Sequence, residues 1–429
     1  MRWSLEPPKL VAIHGIISNM KLSKLFTKTS KTPPSDETSK NAQLLIRAGY
    51  VYKEMAGVYA YLPLGMRTLE KIKQIIREEM NAIDGQELTM TALQARDEWE
   101  RSNRWTSDKI DVWFKTELAA GGEIGLAPTH EEPVTKMMTN HISSYKDLPI
   151  YVYQFQTKFR NELRAKSGIM RTREFLMKDL YSFSRDEASH QAYYERAAAT
   201  YHKIFDRLGL GNDTYRTFAS GGAFSKYSDE FQTLTDVGED TIYLSREKKI
   251  AINQEVMSDE TLDMLGLKRE ELEEVKAAEV GNIFPLGTRY SEPLGLTFND
   301  ENGERKHVYM GCYGIGPSRV MGVIAEKFSD DKGLIWPEAI APYKYYLIGI
   351  GEQGIKKCAE LHDKYPELIL LDDRNARPGE KFADSELMGI PYRVVISDRT
   401  LAENQVEFSN RSTSTTSLLT VDELVTKLN

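Results

Sequence analysis

Cysteine is scarce in this chain of 429 residues, which has only Cys312 and Cys358. Two cysteines so far apart in sequence provide neither a disulfide framework nor a four-cysteine zinc site. Such scarcity is typical of proteins that work in a reducing, intracellular compartment. The sequence therefore favours a cytoplasmic protein that does not depend on disulfides for its stability.

Long apolar runs are also missing. The run Leu10–Ile17 is interrupted by His14 and Gly15 and is too short to span a bilayer, so we expect no membrane association. Residues 1–34 carry six basic residues and a single acid, Glu6. This bias is compatible with an organellar transit peptide, although an extension ahead of an internal start at Met20 is the simpler interpretation.

An excess of positive charge is absent as well. The net charge is −8, from 56 Lys and Arg against 64 Asp and Glu. This balance argues against a protein that coats nucleic acid generically. It does not exclude RNA binding, because a local basic patch can act within an acidic protein. A hydrophobic content of 41% is ordinary for a globular chain, and the length suggests two or three domains.

The domain organisation follows from changes in pattern along the chain. Residues 1–45 read as an extension and an irregular lead, and residues 46–340 as helices alternating with short strands, with a short charged connector at 246–280. Two prolines in WPEAIAPY (336–343) mark a boundary. Residues 344–429 alternate buried strands with helices, which predicts a small α/β domain.

The stretch Lys158–Phe183 predicts a charged antiparallel hairpin. Arg160 and Glu162 are two residues apart, so on a strand they would face the same side. The chain returns through Arg171, after a loop with one glycine. Guanidinium groups meet phosphate bidentately and stack on rings, which suits them to gripping a triphosphate. The alternative is a solvated, charged hairpin.

A glycine-rich strand leads into an apolar helix at GCYGIGPSRVMGVIAEK (311–327). Glycine in a strand often marks the close approach of a ligand, and Arg319 would lie in the first turn of the helix, at the positive end of its dipole. Tight packing of helix on sheet would give the same pattern. No GxxxxGK[ST] loop is present, so this is not a P-loop.

A third segment, from Gly57 to Asp84, predicts a strand followed by a long amphipathic helix. Apolar residues recur at near-helical spacing at Leu69, Ile72, Ile76 and Met80. From periodicity alone, an ordinary packed helix is the favoured interpretation.

Together the three segments resemble motifs 2, 3 and 1 of the class II aminoacyl-tRNA synthetases. The chain is most similar to the bacterial-type prolyl-tRNA synthetases, over about residues 20–429. The segments that carry this likeness are LAPTHEEPVT (126–135), FRNELRAKSGIMRTREFLMKDLYSF (159–183), SDEFQ (228–232), GNIFPLGTRYS (281–291), GCYGIGPSR (311–319) and DDRNARPGEKFADSELMGIPYRVV (372–395).

The resemblance implies an α+β catalytic core, in which helices flank an antiparallel sheet, and a C-terminal α/β anticodon-binding domain. It implies ATP-dependent ligation of L-proline to tRNA(Pro) through a prolyl-adenylate, with Mg²⁺ accompanying ATP and protein ligands unassigned. The 57–84 element would form a homodimer interface. The alternative is a non-catalytic tRNA-binding paralogue, which should have lost a phosphate-gripping arginine. A threonyl enzyme would need a Cys/His zinc set that this core lacks.

Roles in nucleotide binding are implied by the same resemblance. Arg160 would bridge the proline carboxylate and the α-phosphate, and Glu162 would accept from the adenine amino group. The other residues implied in nucleotide binding are Arg171 and Arg319 on the outer phosphates, Phe175 stacked on adenine, and Gln232.

Thr129 and Glu131 are the implied readers of proline, whose secondary ammonium offers two N–H donors, and Cys312 would line the pocket as a small group. The sequence also fits a helix capping box formed by Thr129 and Glu132. Both interpretations can hold if Glu131 faces the pocket while Glu132 serves the cap. His130 is expected to be structural.

Arg374, Arg377 and Lys381 cluster at the end of a predicted buried strand, where open α/β sheets bind ligands. The resemblance implies contact with the anticodon loop there, and a solvated loop is the alternative. The connector at 246–280 is too short for an inserted editing domain, so we expect no cis editing of mischarged alanine.

Overall fold

The computed structural model describes residues 20–106, 109–163, 165–222 and 224–429. The proposed extension ahead of Met20 lies outside these residues. The helices of the N-terminal part are α1 (Lys40–Arg47), α2 (Pro63–Asn81), α3 (Arg96–Arg101), α4 (Glu131–Met138), α5 (Glu187–Arg207), α6 (Asp259–Leu265), α7 (Ser291–Leu294) and α8 (Pro317–Lys327). None of the described helices has the length and apolar content to cross a membrane.

A nine-stranded sheet forms the centre of this part. Its strands are β3 (Gln86–Glu87), β7 (Ile150–Phe159), β8 (Glu174–Ser184), β9 (Thr214–Ser220), β10 (Tyr227–Leu234), β11 (Asp240–Ser245), β12 (Ile250–Asn253), β13 (Glu273–Gly287) and β16 (Tyr309–Ile315). They lie in the order β10-β9-β12-β11-β13-β16-β8-β7-β3. Only β9–β12 and β3–β7 pair in parallel, so the sheet is mostly antiparallel, as the resemblance implied.

Three small sheets accompany it. They are β1 (Val51–Met55) with β2 (Val58–Tyr61), then β4 (Leu93–Ala95), β5 (Lys115–Glu117) and β6 (Glu123–Leu126), and finally β14 (Thr297–Asn299) with β15 (Arg305–His307). The predicted helix of the 57–84 segment is confirmed as α2, whose Leu69, Ile72, Ile76 and Met80 are buried. Their spacing places them along one stripe, which faces the core.

The C-terminal part has the predicted α/β alternation. Its strands are β17 (Tyr345–Ile350), β18 (Ile369–Asp372), β19 (Tyr392–Ser397), β20 (Gln405–Asn410) and β21 (Thr415–Thr420), in the order β18-β17-β19-β20-β21. Its helices are α9 (Gly351–Lys364), α10 (Pro378–Met388), α11 (Asp398–Ala402) and α12 (Val421–Leu428). β17 pairs in parallel with both neighbours, as strands joined by helical crossovers do.

The segment 246–280 is built into the large sheet rather than lying beside it as a connector. It supplies β12, α6 and the first residues of β13. Helix α6 begins after Ser258, whose side chain accepts the Thr261 N–H as a cap. Both β12 and β13 form ladder hydrogen bonds with β11, so this short segment joins the strands at that end of the sheet.

The large sheet separates two apolar layers. On β16, Tyr313 and Ile315 pack with α2, α5 and α8, whereas Met310 and Cys312 pack with α4 and α7. On β8, Leu180 faces the first layer. Strand side chains alternate between faces, so each central strand contributes to both layers. The face covered by α4 is the one that carries the candidate pocket.

Lys178 lies on the opposite face and is fully buried. Its ammonium donates to the hydroxyl of Tyr201 at 2.6 Å and to the carbonyl of Tyr313 at 3.1 Å. Burial lowers the pKa of Lys178 to about 7, from 10.5. Folding therefore releases a proton between these two pH values, and stability rises with pH across that window.

We predict that Lys178→Met removes this pH dependence. The native protein should gain up to about 1.4 kcal/mol of stability per pH unit relative to the variant between pH 7.5 and 9.5. Thermal midpoints of both proteins across that range measure the difference. Lys276→Met, at an exposed position on β13, is the control and should follow the native curve. Parallel curves for Lys178→Met and the native protein would contradict the assignment.

Candidate active site

The floor of the candidate site consists of glycine backbone on β13 and β16. A Cβ atom added to Gly314 would lie 2.6 Å from Oδ1 of Asn282. One added to Gly281 would lie on the opposite face of the sheet, 3.2 Å from Cε2 of Tyr201 and 3.3 Å from Cγ1 of Ile315. Glycine at position 314 therefore keeps the cleft side of β16 flat, so that another molecule can approach its backbone closely.

Above this floor lies a cleft between the hairpin and the start of α8. Five of the predicted nucleotide-binding residues line it: Arg160, Glu162, Arg171, Phe175 and Arg319. The hairpin supplies four of them and the first turn of α8 supplies the fifth. Two segments about 150 residues apart in sequence thus meet at one cleft, which neither pattern could show alone.

The position of Arg160 and Glu162 differs from the prediction. Strand β7 ends at Phe159, which pairs with Glu174, so both residues lie beyond the strand rather than on one of its faces. Arg160 leaves the ladder after its backbone N–H donates to the carbonyl of Arg173. The hairpin itself is confirmed. Its two polar side chains reach the cleft because the chain bends out of the sheet at this point.

Carboxylates hold the outer arginines of the cleft. Arg171 donates to Glu162 at 2.8 Å and to Glu239 at 2.9 Å. Arg319 donates from Nη1 to Glu279 at 2.9 Å, and its Nε donates to the carbonyl of Met170 at 2.8 Å. These contacts fix the guanidinium groups in the cleft before any anion arrives, which reduces the ordering cost of binding.

Arg160 lies between the two ends of the site. Its guanidinium lies 5.2 Å from the centre of the Phe175 ring, and Nη2 is 3.5 Å from the carbonyl of Pro128. Burial, and then the charge of Arg319, hold the pKa of Arg160 below its ordinary value. Two guanidinium groups this close repel each other, and an anion bound between them would relieve that repulsion.

The predicted proline readers lie next to Arg160, at the start of α4. The hydroxyl of Thr129 donates to Oε2 of Glu131, and the hydroxyl of Tyr181 lies 3.4 Å from its Oε1. Glu131 is fully buried, while Thr129 remains partly exposed. Because Thr129 gives its proton to Glu131, its oxygen lone pairs stay available to an incoming N–H donor.

The predicted capping box is wrong. Helix α4 has His130 at its N-cap position and no side-chain cap. The carboxylate of Glu132 instead accepts from Ser102 and from Arg104, each at 2.8 Å. A capping residue must stay near its own backbone, whereas Glu132 is drawn into a buried ion pair with a distant segment. Long-range charge has overridden the local pattern.

A layer of buried polar groups supports this end of the site. Lys158 donates to Asp179 at 2.9 Å and contacts Nδ1 of His130, whose Nε2 lies 3.0 Å from the carbonyl of Thr91. Burial, and then the charge of Lys158, lower the pKa of His130 to about 4. His130 is thus buried with a contact at each ring nitrogen, an environment compatible with the structural role expected of it. Cys312 is buried beside Glu131, and burial raises the pKa of its thiol well above its ordinary value.

Gln232 is fully buried, and its amide nitrogen donates to Glu230 at 2.8 Å and to Asp240 at 2.7 Å. It therefore holds two carboxylates beside the cleft. Of these, Asp240 lines the outer end next to Arg171 and Arg319. Burial, and then the charge of Glu279, raise the pKa of Glu230 to about 8.

The predicted basic cluster of the C-terminal part is only partly available to a ligand. Arg374 donates to the carboxylates of Asp372 and Asp384, each at 2.7 Å, and the ammonium of buried Lys381 donates to the carbonyl of Asp372 at 3.0 Å. Arg377, ahead of α10, is exposed. Two of the three side chains thus shape the loop.

Sequence reasoning missed Glu279 and Arg104. Glu279 interrupts the apolar run AAEVG on β13, and a charged residue in a buried strand next to a glycine is a signal that could have revealed it. Arg104 gives no such signal, since its segment is rich in charge and its burial depends on distant contacts. Among the described residues no group of three acidic, His or Cys side chains is arranged to hold a metal ion.

The fold and the cleft agree with what comparisons with known proteins show. Residues 114–328 match the family model of the tRNA synthetase class II core domain (G, H, P, S and T), and residues 345–429 match the anticodon binding domain. The protein class that these features define is the class II aminoacyl-tRNA synthetases.

Curated relatives identify the family within this class. The proline--tRNA ligases of Anaplasma phagocytophilum and Ehrlichia chaffeensis are each 36% identical to the chain, over 95% of its length and 100% of theirs. That of Maricaulis maris is 36% identical over 95% of the chain and 98% of its own length. The chain belongs to the proline--tRNA ligase family.

Solved structures show the same fold. A prolyl-tRNA synthetase from Cryptosporidium parvum complexed with L-proline and AMP has a TM-score of 0.72 and 18% identity, over 90% of this chain and 73% of that one. The same enzyme complexed with halofuginone and AMPPNP has a TM-score of 0.74 and 18% identity, over 90% of this chain and 75% of that one.

We predict that Arg171→Gln weakens ATP binding about tenfold, or about 1.4 kcal/mol, because the charge-assisted contact to an outer phosphate that the resemblance implies for Arg171 would be lost. Lys166→Gln is the matched control. Lys166 is exposed and lies 3.6 Å from the same Glu239, but it does not line the cleft. Calorimetric titration with ATP measures both. Equal affinities for the native protein and Arg171→Gln would overturn the role of Arg171.

Proposed function

We propose that the chain ligates L-proline to tRNA(Pro) with the energy of ATP. The observation that carries this proposal is that three arginines line one cleft, and that one of them, Arg160, also reaches the carbonyl of Pro128. Thr129 and Glu131, the acceptors for a secondary ammonium, follow Pro128 closely in the chain. Arg160 lies between these acceptors and the other two arginines, where a carboxylate and an α-phosphate would meet.

The reaction has two steps. The proline carboxylate attacks the α-phosphorus of ATP, and pyrophosphate leaves as prolyl-adenylate forms. A hydroxyl of the terminal ribose of tRNA then attacks the prolyl carbonyl, and AMP leaves. Neither step needs a covalent enzyme intermediate, so positioning and charge neutralisation supply the rate. Arg160 has both tasks, since it would orient the nucleophile and balance charge on the phosphorus.

At the nucleotide end, Glu162 would accept from the adenine amino group and Phe175 would stack on the base. Arg171 and Arg319 would exchange part of their contacts with Glu162, Glu239 and Glu279 for the β- and γ-phosphates. The phosphates offer the same bidentate geometry as the carboxylates they replace. Gln232 would act indirectly, because its amide orders Asp240 and Glu230 behind the cleft.

Mg²⁺ suits the donors at this end. The carboxylates of Glu239, Asp240 and Glu279 line the outer part of the cleft with the arginines, so a triphosphate would enter beside negative charge. Mg²⁺ prefers hard oxygen ligands, and it is commonly bound through one or two carboxylates together with substrate phosphates and water. We infer that it enters with ATP, with Glu279 and Asp240 nearest to it.

At the other end of the molecule, the C-terminal domain would receive the anticodon stem-loop of tRNA(Pro). Its exposed Arg377 is the best placed of the three predicted residues to contact an unstacked base or a phosphate. Arg374 and Lys381 would preserve the shape of the loop. We place the enzyme in the cytoplasm, a reducing compartment compatible with its two free, buried cysteines.

The alternative, a tRNA-binding paralogue without catalysis, is disfavoured by Arg160, Arg171 and Arg319, which all line the cleft. A chain that binds tRNA without activating an amino acid has no need of three arginines in one cleft.

Amino-acid-dependent ATP–pyrophosphate exchange tests the proposal. We expect exchange with proline, a kcat/KM about 100-fold lower with alanine, and background exchange with threonine and serine. Exchange with alanine should remain measurable because a pocket that fits the proline ring excludes a smaller molecule only weakly. Thr129→Val should raise the KM for proline about tenfold and leave the KM for ATP unchanged.

Thr139→Val, at the far end of α4, is the matched control and should behave as the native protein does. Absence of exchange with every amino acid, from a folded native protein that binds tRNA, would favour the non-catalytic paralogue. Preferential exchange with threonine or serine would reassign the substrate.

We further propose that the chain works as a homodimer through the β1–β2 hairpin. In the described residues these two strands form a sheet of their own, and two strands alone are marginally stable. Tyr52 is 55% exposed and Met55 is 59% exposed. Exposed apolar side chains on the outer face of such a short hairpin are typical of a surface that another subunit covers.

We predict that Met55→Glu shifts the protein from dimer to monomer in sedimentation velocity at micromolar concentration, because a charge would be buried at the interface. Ile355→Glu is the control, since Ile355 is equally exposed at 59% but lies on α9 in the C-terminal domain. A native monomer would refute the dimer, and a dimeric Met55→Glu variant would relocate its interface.

A further inference from the structure

Arg104 is a buried arginine beside the two glutamates that begin α4. Its Nη1 donates to Oε1 of Glu132 at 2.8 Å and lies 3.9 Å from Oε2 of Glu131. The side chain of Arg104 is 5% exposed, and those of both glutamates are fully buried. One guanidinium group therefore lies within ion-pair distance of both the proposed proline reader and its neighbour.

Aromatic rings hold this guanidinium group in place. Its central carbon lies 5.1 Å from the ring centre of Trp99, 5.0 Å from that of Phe224 and 5.3 Å from that of Tyr290. Arginine stacks on such rings through its planar face, which leaves its edge free to donate. The edge of Arg104 points to Glu132, so the rings and this carboxylate together set the distance to Glu131.

Two adjacent buried carboxylates are costly without a cation nearby. Burial raises the pKa of Glu132 to about 7, against the opposing charge of Arg104. Other groups also face the pair. Glu131 is faced by Thr129, Tyr181, Cys312, Lys158 and Arg160, and Glu132 by Ser102 and Tyr290.

Glu131 and Glu132 thus divide the work at one helix end. Glu131 accepts from the hydroxyl of Thr129, and a substrate ammonium would join it there. The hydroxyl of Tyr181 lies 3.4 Å from Glu131 but donates its one proton to Asp179 at 2.9 Å. Glu132 has Arg104 and Ser102, and its Oε2 lacks a hydrogen-bond partner within the part of the chain that the structure describes. Arg104 is therefore more tightly held by the glutamate that the mechanism does not use.

We propose that Arg104 is a positioning residue for proline recognition, held by Glu132 at a distance where its charge supports the Glu131 carboxylate without taking the place of the substrate ammonium. This inference rests on the proposed proline site. Glu132 acts as a tether: its hydrogen bond keeps Nη1 of Arg104 at 3.9 Å from Oε2 of Glu131 and so prevents a direct hydrogen bond between them.

The proposal makes three variants behave differently. In Arg104→Met, both carboxylates lose their nearest cation, and a proton becomes the substitute as the pH falls. In Glu132→Gln, the tether is neutral, so Arg104 is released to pair with Glu131 and to compete with proline. In the double variant Glu131 also lacks Arg104, but the adjacent charge of Glu132 that made this cation necessary is gone, and no released guanidinium competes with proline. Glu131 keeps Lys158, Arg160 and the Thr129 hydroxyl.

Pyrophosphate exchange with separate variation of proline and ATP tests these expectations. Each single variant should raise the KM for proline about tenfold, with the KM for ATP within threefold of native. Arg104→Met should also move the acid limb of kcat/KM for proline to higher pH. The double variant should return the KM for proline to within threefold of native, a non-additivity that two independent losses of structure do not produce.

Arg96→Met is the matched control. Arg96 lies on α3 in the same segment and pairs with Glu100 and Glu123, but it is exposed. It should leave both KM values within twofold of native. Arg104→Lys should recover part of the loss, because it restores the charge without the planar geometry.

Two results would overturn the inference: a KM for proline and a pH profile unchanged in Arg104→Met, or a folded double variant as impaired as the single ones. If Arg104→Met does not fold, the double variant and Glu132→Gln decide the matter by the same criteria. Failure of the proposed function can be told apart from failure of this inference, because the native protein would then show no exchange with proline.

Discussion

The pairing of β8 with β7 on one side and β16 on the other determines the geometry of the site. Phe159 pairs with Glu174 and Ile315 with Lys178, so the hairpin loop and the start of α8 emerge within four residues of each other along β8. At about 3.3 Å per residue this is roughly 13 Å, the reach of a nucleotide. Arg160, Arg171 and Arg319 share a cleft because backbone hydrogen bonds bring their segments together.

Several charged side chains are buried beneath this scaffold. Each of them is stabilised by an oppositely charged partner. Lys158 requires Asp179, and Glu132 requires Arg104. Buried ion pairs contribute little net stability, but breaking one by removing a single partner is costly, so such a network tolerates few alternative arrangements. Glu131, which lies within this network, is therefore held in a fixed orientation. The network costs stability in the core and provides geometric precision at the site.

Sequence patterns predicted those elements that depend on interactions between residues close together in the chain. The spacing of apolar residues in α2 and the strand–helix alternation after Lys344 are properties of neighbouring residues, and the structure has both. The glycines before Arg319 predicted a close approach to the backbone, and the structure has Gly314 on the cleft side of β16. The sequence patterns did not predict contacts between distant segments. Glu132 forms an ion pair instead of a cap, and Lys381 turns inward to a carbonyl, because partners far away in the chain outcompete the local choice.

The same dependence on distant partners connects the two parts of the molecule. The backbone N–H of Leu22 donates to the carbonyl of Leu371 on β18, the edge strand of the C-terminal sheet, and Ser23 donates to Asp373. Asp384 accepts from Thr29 as well as from Arg374. An edge strand offers unpaired backbone groups, and here the lead segment of the chain satisfies them. The loop that precedes Arg377 is therefore held by residues from the opposite end of the sequence. Its position depends on how the lead segment lies against the C-terminal domain, so the shape of this loop is a property of the whole chain and not of its last 85 residues, 345–429, alone.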